Sequence, residues 1–273
     1  VGFGKEDSIN RKIFEYADIQ GEPHVIAAKQ INPYLVDAPP VLLRKRTDPI
    51  CSVPKINYGS MPNDGGHLLL TDTEKQALVR STPNAGAWLK PFFMGEEFIN
   101  NTKRWCLWLV DCPPSLLKSM PEVLTRVDAV RKTRLLSTRE TTRALANTPT
   151  NFGEIRQPKS LRYLAIPMVS SERRVYLPVG YLNHEAICGN KIFFIESAGL
   201  DVFGMLCSSM HNAWMRYTCG RLKSDFNYSN SIVYNNYPWP GFAGEALSDK
   251  HRSAIEQAAQ CVLDARAQYT GAS

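Results

Sequence analysis

The stretch FGMLCSSMHNAWMRYTCGRLKSDFNYSNSIVYNNYPWP, Phe203–Pro240, has two halves of different character. Its first half places apolar residues at helical spacing, which predicts a buried helix that ends near Gly220. Its second half, Arg221–Pro240, is rich in Tyr, Asn and Ser, carries two cations, and holds one Trp between two prolines. Because little of this second half is needed to fill a core, we interpret it as a stretch with binding chemistry.

Strand-like segments lie upstream of this stretch. Each alternates or runs apolar over the length of a strand, with β-branched and aromatic residues. They are RWCLWLVDC (Arg104–Cys112), YLAIPMVS (Tyr163–Ser170), RVYLPVGYL (Arg174–Leu182) and KIFFIES (Lys191–Ser197).

Three further segments have helical patterns. TDTEKQALVR, Thr71–Arg80, starts with a Thr/Asp cap and an early Glu. Pro121–Asn147 places valines and leucines on one face and predicts one long helix. ALSDKHRSAIEQAAQCVLDARAQY, Ala246–Tyr269, predicts an amphipathic helix with its cap at Ser248 and Asp249.

The charge of the chain suits a polyanionic partner. The formal net charge is +6, and the excess of cations lies between Arg126 and Lys223. The long predicted helix contributes six of these cations, and its basic faces are either solvated or close to phosphates. These six are Arg126, Arg131, Lys132, Arg134, Arg139 and Arg143.

Several classes of protein are excluded by what the sequence lacks. No run of eighteen apolar residues occurs, and the first residues lack a signal-peptide pattern, so we expect a protein without membrane contact. The seven cysteines are odd in number and form no CxxC, which favours reduced thiols and a cytoplasmic location. No metal-ligand spacing, P-loop or GxSxG is present, so we expect neither a metal site nor catalytic residues.

Binding chemistry is concentrated in four segments. Besides the basic helix and Arg221–Pro240, these are RQPKSLRY (Arg156–Tyr163) and SSERRVY (Ser170–Tyr176). Arg pairs with guanine and Asn with adenine through two hydrogen bonds, whereas Ser, Tyr and Lys suit phosphates. A structural alternative stands beside each: a polar hairpin tip for SSERR, a turn for Asn235 and Asn236, and core packing for Trp239.

Six long segments, in this order, closely resemble the C-terminal half of the MmeI-like, Type IIL restriction–modification enzymes. They are INPYLVDAPPVLLRKRTDPI, YGSMPNDGGHLLLTDTEK, PFFMGEEFINNTKRWCLWLVDCPP, TPTNFGEIRQP, VSSERRVYLPVGYL and MHNAWMRYTCGRLKSDFNYSNSIVYNNYPWP. In that family one polypeptide carries a nuclease, an N6-adenine methyltransferase and a target recognition domain.

The resemblance implies a domain organisation and a fold. Residues 1–35, with the apolar runs VGFG and HVIAA, would be the terminal strands of the methyltransferase domain. Residues 36–245 would be the DNA target recognition domain, and residues 246–273 a C-terminal amphipathic helix. The implied fold is α+β, with a curved mixed or antiparallel sheet beside a long basic helix, similar to Type I and Type IIG specificity domains.

The resemblance also implies a function. The chain would hold a short asymmetric site of double-stranded DNA for adenine-N6 methylation and distal cleavage by the other domains of the same polypeptide. Those domains would need S-adenosylmethionine and Mg²⁺, and this part would need no cofactor and have no catalytic residue. The parent protein would be both a site-specific adenine methyltransferase and a restriction endonuclease.

Candidate DNA-binding residues follow from the binding segments. We expect Arg221, Lys223 and Tyr228 to contact phosphates, and the base-reading residues to lie between Gln157 and Tyr176 and around Asn227–Asn230. The full set is Lys159, Arg162, Tyr163, Ser170, Ser171, Arg173, Arg174, Tyr176, Arg216, Arg221, Lys223, Asn227, Tyr228, Ser229 and Asn230.

Two other interpretations stay open on the sequence. Basic, Tyr-rich segments also suit stacking on single strands, as in an RNA-binding or RNA-modifying module. A basic face can instead bind an acidic protein partner or be simply solvated. A third interpretation, an enzyme, needs a catalytic constellation that these residues do not offer.

Overall fold

The structure is a computed structural model that describes residues 10–18, 20–240 and 247–269. The chain divides between Thr47 and Asp48 into two compact units. The first unit contains an antiparallel pair of strands, β1 (Arg11–Glu15) and β2 (His24–Ala28). The predicted run HVIAA forms β2, whereas VGFG lies outside the described residues.

Eleven strands among the described residues of the second unit form three sheets. The sheet orders are β3-β11-β7-β9, β10-β5-β6-β4 and β12-β13-β8, and all pairings are antiparallel except that of β10 with β5. The bounds are β3 Ile56–Tyr58, β4 Leu69–Thr71, β5 Leu89–Phe93, β6 Arg104–Leu107, β7 Arg162–Pro167, β8 Val169–Ser170, β9 Gly180–Asn183, β10 Ile187–Cys188, β11 Ile192–Glu196, β12 Gly220–Leu222 and β13 Asp225–Asn227.

Eight α-helices accompany these sheets in the part of the chain that the structure describes. The bounds are α1 Asp72–Ser81, α2 Gly95–Asn100, α3 Pro114–Lys118, α4 Pro121–Leu135, α5 Glu140–Ala144, α6 Leu200–Cys207, α7 Ser209–Thr218 and α8 Asp249–Ala267. Two 3-10 helices (Pro83–Trp88 and Leu145–Asn147) and a π-helical turn (Asn230–Tyr234) complete the elements. The α+β class expected from the sequence is confirmed.

The sheet β3-β11-β7-β9 is covered on both faces. Along β11 and β7, alternate side chains enter two different cores, as the two-residue period of a strand requires. Phe193 and Ile166 pair across the strands and pack with α6, α7 and α8, whereas Phe194 and Ala165 pack on the opposite face. A separate core packs the sheet that contains β5 and β6 against α1 and α4.

The long helix predicted over Pro121–Asn147 is wrong in one respect, because the chain leaves the helix after Leu135. Ser137 Oγ accepts a hydrogen bond from the Arg139 amide, and Arg143 donates to the carbonyls of Ser137 and Thr138. These local side-chain bonds compete with helical hydrogen bonding and turn the chain.

The buried helix predicted to end near Gly220 is also two helices. Ser208 adopts an extended conformation between α6 and α7, and its Oγ accepts a hydrogen bond from the His211 amide. Ser208 is therefore the N-cap of α7, a role that serine favours. The other helix predictions are confirmed: Thr71 and Glu74 form a capping box for α1, and Ser248 caps α8.

No helix in the described ranges is long and apolar enough to span a membrane. The predicted strand Arg104–Cys112 is β6 over its first four residues only.

Candidate nucleic-acid interface

The hairpin β12–β13 spans residues 220–227, at the start of the Tyr- and Asn-rich half of Phe203–Pro240. Arg221 pairs with Phe226, and Lys223 occupies the turn with a φ of 56°. Phe226 pairs in turn with Ser170 of β8, so the hairpin extends from the segment SSERR. The side chains of Arg221 and Lys223 are exposed, whereas Phe226 is buried beneath them.

Two guanidinium groups lie over the ring of Phe226. The Cζ atom of Arg221 is 4.0 Å from the ring centroid, and that of Arg216, in the last turn of α7, is 5.2 Å away. Both distances are within the range of cation–π attraction. Arg221 also donates from Nη1 to the Ser224 carbonyl at 3.0 Å. Phe226 therefore fixes two of the predicted cations beside the hairpin.

The loop of residues 171–177 lies against α7 next to this hairpin. Arg216 Nη2 donates to the carbonyls of Arg174 and Val175, and the Arg174 amide donates to the Ser171 carbonyl. We call the resulting group the hairpin cluster. It consists of Ser171, Arg173, Arg174, Tyr176, Arg216, Arg221, Lys223 and Asn227, and it lies next to the buried Ser170 of β8.

A second group continues from the hairpin to the edge strand β3. Tyr58 Oη donates to Asn230 Oδ1 at 3.3 Å, and the Arg156 guanidinium lies 6.0 Å from the Tyr58 ring centroid. Tyr58 is 40% exposed, and its ring packs on Phe193 at 4.7 Å. Tyr58 is not among the residues predicted from the sequence. The signal that marks it is an aromatic residue at the end of a short strand.

Lys159 and Arg162 lie apart from the hairpin cluster. Arg162 begins β7 and rests on the Tyr181 ring at 4.5 Å, whereas the cluster starts beyond Pro167 at the other end of that strand. At about 3.3 Å per residue, β7 alone separates the two places by about 17 Å. The Lys159 amide donates to Glu196, and its side chain is exposed.

The predicted DNA contacts of Tyr163 and Tyr228 are wrong, because both side chains are buried. Both rings lie in the core, and burial raises the pKa of both phenols. Tyr163 Oη donates to the Ala186 carbonyl at 2.8 Å. Neither side chain reaches the surface, so Tyr228 does not contact a phosphate as predicted. Ser170 is also buried, at 4% exposure, in strand β8.

His211 provides the hydrogen-bond partner of the buried Tyr228 hydroxyl. Desolvation lowers the pKa of His211 to about 4, so its ring is neutral at pH 7. Its Nδ1 lies 3.1 Å from the Leu206 carbonyl, which only accepts, so Nδ1 donates. Nε2 then accepts from Tyr228 Oη at 3.1 Å. Both groups are satisfied within the protein.

The six cations of the predicted helix Pro121–Asn147 fall into two groups. One group makes hydrogen bonds within the protein, and the other is exposed to solvent. Arg134 is 1% exposed and donates five hydrogen bonds to backbone carbonyls. Arg126 bonds to Glu74 and to the His67 carbonyl, and Arg143 bonds to its own turn. The exposed remainder is Arg131, Lys132 and Arg139.

At the end of Phe203–Pro240 the structure agrees with the structural alternatives, core packing for Trp239 and a turn at the asparagines. Trp239 is buried in the core, packed edge-on against Tyr234 and Tyr237. Asn236 Nδ2 donates to the carbonyls of Ser231 and Ile232, and Ser229 Oγ accepts from the Ile232 amide. Within the described residues, no group of three or more His, Cys, Asp or Glu side chains is placed to hold a metal ion.

The residues around the hairpin cluster match a known family. Residues 37–241 fit the family model described as MmeI, target recognition domain. The chain belongs to the MmeI target recognition domain family. The matched range of this target recognition domain contains the hairpin cluster, Tyr58 and Arg156, and it ends before α8. The resemblance noted in the sequence is therefore confirmed.

Two relatives extend the match beyond the target recognition domain. DNA methyltransferase A of Bacillus subtilis (strain 168) is 35% identical over 271 residues, which are 99% of this chain and 30% of that protein. A solved structure of the Type IIL restriction-modification enzyme MmeI in complex with DNA matches with a TM-score of 0.91 at 43% identity, over 97% of this chain and 35% of that chain. The chain thus spans about a third of the length of either relative.

Proposed function

We propose that this target recognition domain binds double-stranded DNA and recognises a short asymmetric sequence. The observation that carries the proposal is the hairpin cluster, in which the loop 171–177, α7 and the hairpin β12–β13 bring cations and polar side chains to one surface. The family membership of the chain and the solved DNA complex of its relative MmeI support it.

The shape of the hairpin suits the major groove. A two-stranded ribbon fits this groove, which is about 12 Å wide and presents a different pattern of donors and acceptors for each base pair. Lys223 and Arg221 are exposed on the hairpin, and Asn227 follows at its base. Arg and Lys side chains suit guanine or phosphate oxygens, and an Asn side chain suits adenine.

Contacts with the DNA backbone would set the register of the site. Arg162 lies about 17 Å from the cluster along β7, which corresponds to about five base pairs of duplex, and Lys159 precedes it in the chain. A duplex that lies along this strand would meet both places. We assign Lys159 and Arg162, together with Arg221 and Lys223 of the hairpin, to phosphate contacts, and the loop 171–177 with Asn227, Asn230 and Tyr58 to base recognition.

The finer function concerns the whole protein. We propose that the recognised site directs adenine-N6 methylation and distal cleavage by a methyltransferase and a nuclease domain of the same polypeptide. Those domains would use S-adenosylmethionine and Mg²⁺. A cytoplasmic protein fits this role, and the seven cysteines are free thiols, as expected in a reducing compartment.

A binding experiment separates this function from the other interpretations. The protein is titrated with random-sequence duplex DNA and with single-stranded RNA of equal length over a series of salt concentrations. We expect the duplex to bind more tightly, with an affinity that falls linearly on a logarithmic salt scale. Tighter binding of the RNA would favour an RNA-binding module, and binding of neither would favour a protein partner for the basic face.

A further inference from the structure

Two side chains of α7 hold the loop 171–177, one at its middle and one at its end. Asn212 and Arg216 are four residues apart and therefore lie on one face of the helix. Arg216 Nη2 donates to the carbonyls of Arg174 and Val175 at 2.9 and 3.0 Å. Asn212 Oδ1 accepts from the Leu177 amide at 2.6 Å.

Asn212 is itself fixed in place. It is 3% exposed, and its Nδ2 donates to the Ser208 carbonyl at 2.8 Å, where α7 begins. Both ends of its amide group are therefore used within the protein. Its contact with Leu177 anchors the point at which the loop returns to the core, because Leu177 is 1% exposed.

Arg216 joins the loop to the hairpin. Its guanidinium donates to the loop carbonyls and also lies 5.2 Å from the ring of Phe226, which pairs with Ser170 at the start of the loop. The two protons on Nη2 are used by the two carbonyls. A planar guanidinium can do this while resting on a ring, whereas an ammonium group cannot hold the same geometry.

We propose that Asn212 and Arg216 are positioning residues: they hold the loop 171–177 so that Arg173, Arg174 and Tyr176 meet the DNA in one arrangement. Arg216 then acts through the loop and not by contacting the DNA, which replaces its predicted role as a DNA-binding residue. The proposal rests on the DNA-binding function above. Base recognition depends on side-chain position, whereas a phosphate contact depends mainly on charge.

The test uses Arg216→Lys, which keeps the positive charge and removes the planar fork. We expect faster hydrogen exchange of the amides in residues 171–177. We also compare the affinity for a duplex enriched by selection from randomised DNA with that for a scrambled duplex. The ratio of these two affinities should fall about tenfold, since one base contact discriminates by roughly that factor. The salt slope should stay the same, because no charge is lost.

Two further variants complete the test. Asn212→Ala removes the acceptor for the Leu177 amide and should have the same two effects, provided that its thermal unfolding is still cooperative. Tyr217→Phe, on the exposed side of α7, is the matched control and should leave loop exchange unchanged.

The outcomes separate the two proposals. Unchanged exchange in Arg216→Lys overturns the positioning role, and so does faster exchange with an unchanged affinity ratio. Equal weakening on both duplexes, with an unchanged ratio of affinities, would make Arg216 a phosphate contact. If the unmodified protein does not distinguish any two duplexes, the proposed function itself fails, whereas the exchange data still decide whether α7 holds the loop.

Discussion

Arg134 lies on the helix that the sequence marks as basic, yet it points into the protein. Its five donors meet the carbonyls of Pro62, Asn63, Leu145, Thr148 and Asn151. Burial lowers the pKa of Arg134, and the nearby Asp64 opposes that effect. Sequence periodicity places Arg134 on the helix but does not show that two loops close over it, because those contacts join residues up to 72 positions apart.

We therefore predict a large loss of stability for Arg134→Met. Several buried carbonyls would lose their donor, and we expect the free energy of unfolding to fall by about 3–5 kcal/mol. Urea denaturation measures this change, with exposed Arg131→Met on the same helix as the control. A loss below about 0.5 kcal/mol would contradict the role assigned to Arg134.

Tyr228 gives a second prediction for a single residue. Tyr228→Phe leaves Nε2 of the buried His211 without its donor, which should cost about 1–3 kcal/mol of unfolding free energy. The affinity for DNA and its salt slope should stay unchanged at a temperature where the variant is folded. Weaker binding by the same factor on every duplex would restore Tyr228 as a phosphate contact.

The elements follow the sequence closely where local signals act and depart from it where single polar side chains intervene. The Thr71–Glu74 capping box and the Ser248 cap are visible as patterns, and both are present. The breaks at Ser208 and Ser137 are also made by serine, but long apolar periodicity conceals them. A serine inside a helical pattern can face solvent or cap a new helix, and only the surrounding packing decides.

Helix α1 has a pH-dependent cap. The hydrogen bond that the Thr71 backbone amide donates to Glu74 lowers the pKa of Glu74, whereas desolvation raises it. Hydrogen bonds from the Thr71 hydroxyl and from Arg126 lower this pKa further. A carboxyl with a lowered folded pKa stabilises the protein above its unfolded pKa, and this contribution is lost as the pH falls through the folded pKa. Glu74→Gln should therefore be less stable than the unmodified protein at pH 7.

Thermal unfolding across pH checks this expectation. The difference between Glu74→Gln and the unmodified protein should shrink as the pH falls below the ordinary range of a glutamate. Glu96 lies in the first turn of α2, and no hydrogen bond to its carboxylate is seen among the described residues. Glu96→Gln therefore provides the matched control. A difference that stays constant down to pH 2 would contradict the cap as its source.

The turn of the hairpin β12–β13 permits the charge of Lys223 to be tested apart from its conformation. Its φ of 56° is strained for a residue with a Cβ atom, so Lys223→Gly should keep or raise stability by up to about 1 kcal/mol. The same change removes one cation, and the salt slope of DNA binding should fall by about 1. Exposed Lys118→Ala, at the end of α3, is the control.

An unchanged slope in Lys223→Gly would place the hairpin turn away from the phosphates. A loss of stability would instead show that the lysine side chain supports the turn.

The candidate interface is assembled from segments that are distant in the sequence. Ser170, Arg216 and Phe226 meet through strand pairing and ring contacts, and Tyr58 meets Asn230 across 172 positions. The sequence predicts the four binding segments because their residue types are unusual for a core. It did not show which members face inward, since Tyr163 and Tyr228 differ from exposed tyrosines only through tertiary packing.

The most direct test of the account is a selection from randomised duplex DNA at physiological salt, followed by sequencing of the bound fraction. We expect enrichment of one short, non-palindromic motif that contains an adenine. Parallel selection with Arg216→Lys should give a weaker motif of the same sequence. A bound fraction without enrichment, from a protein that still binds duplex DNA, would contradict sequence recognition by the hairpin cluster.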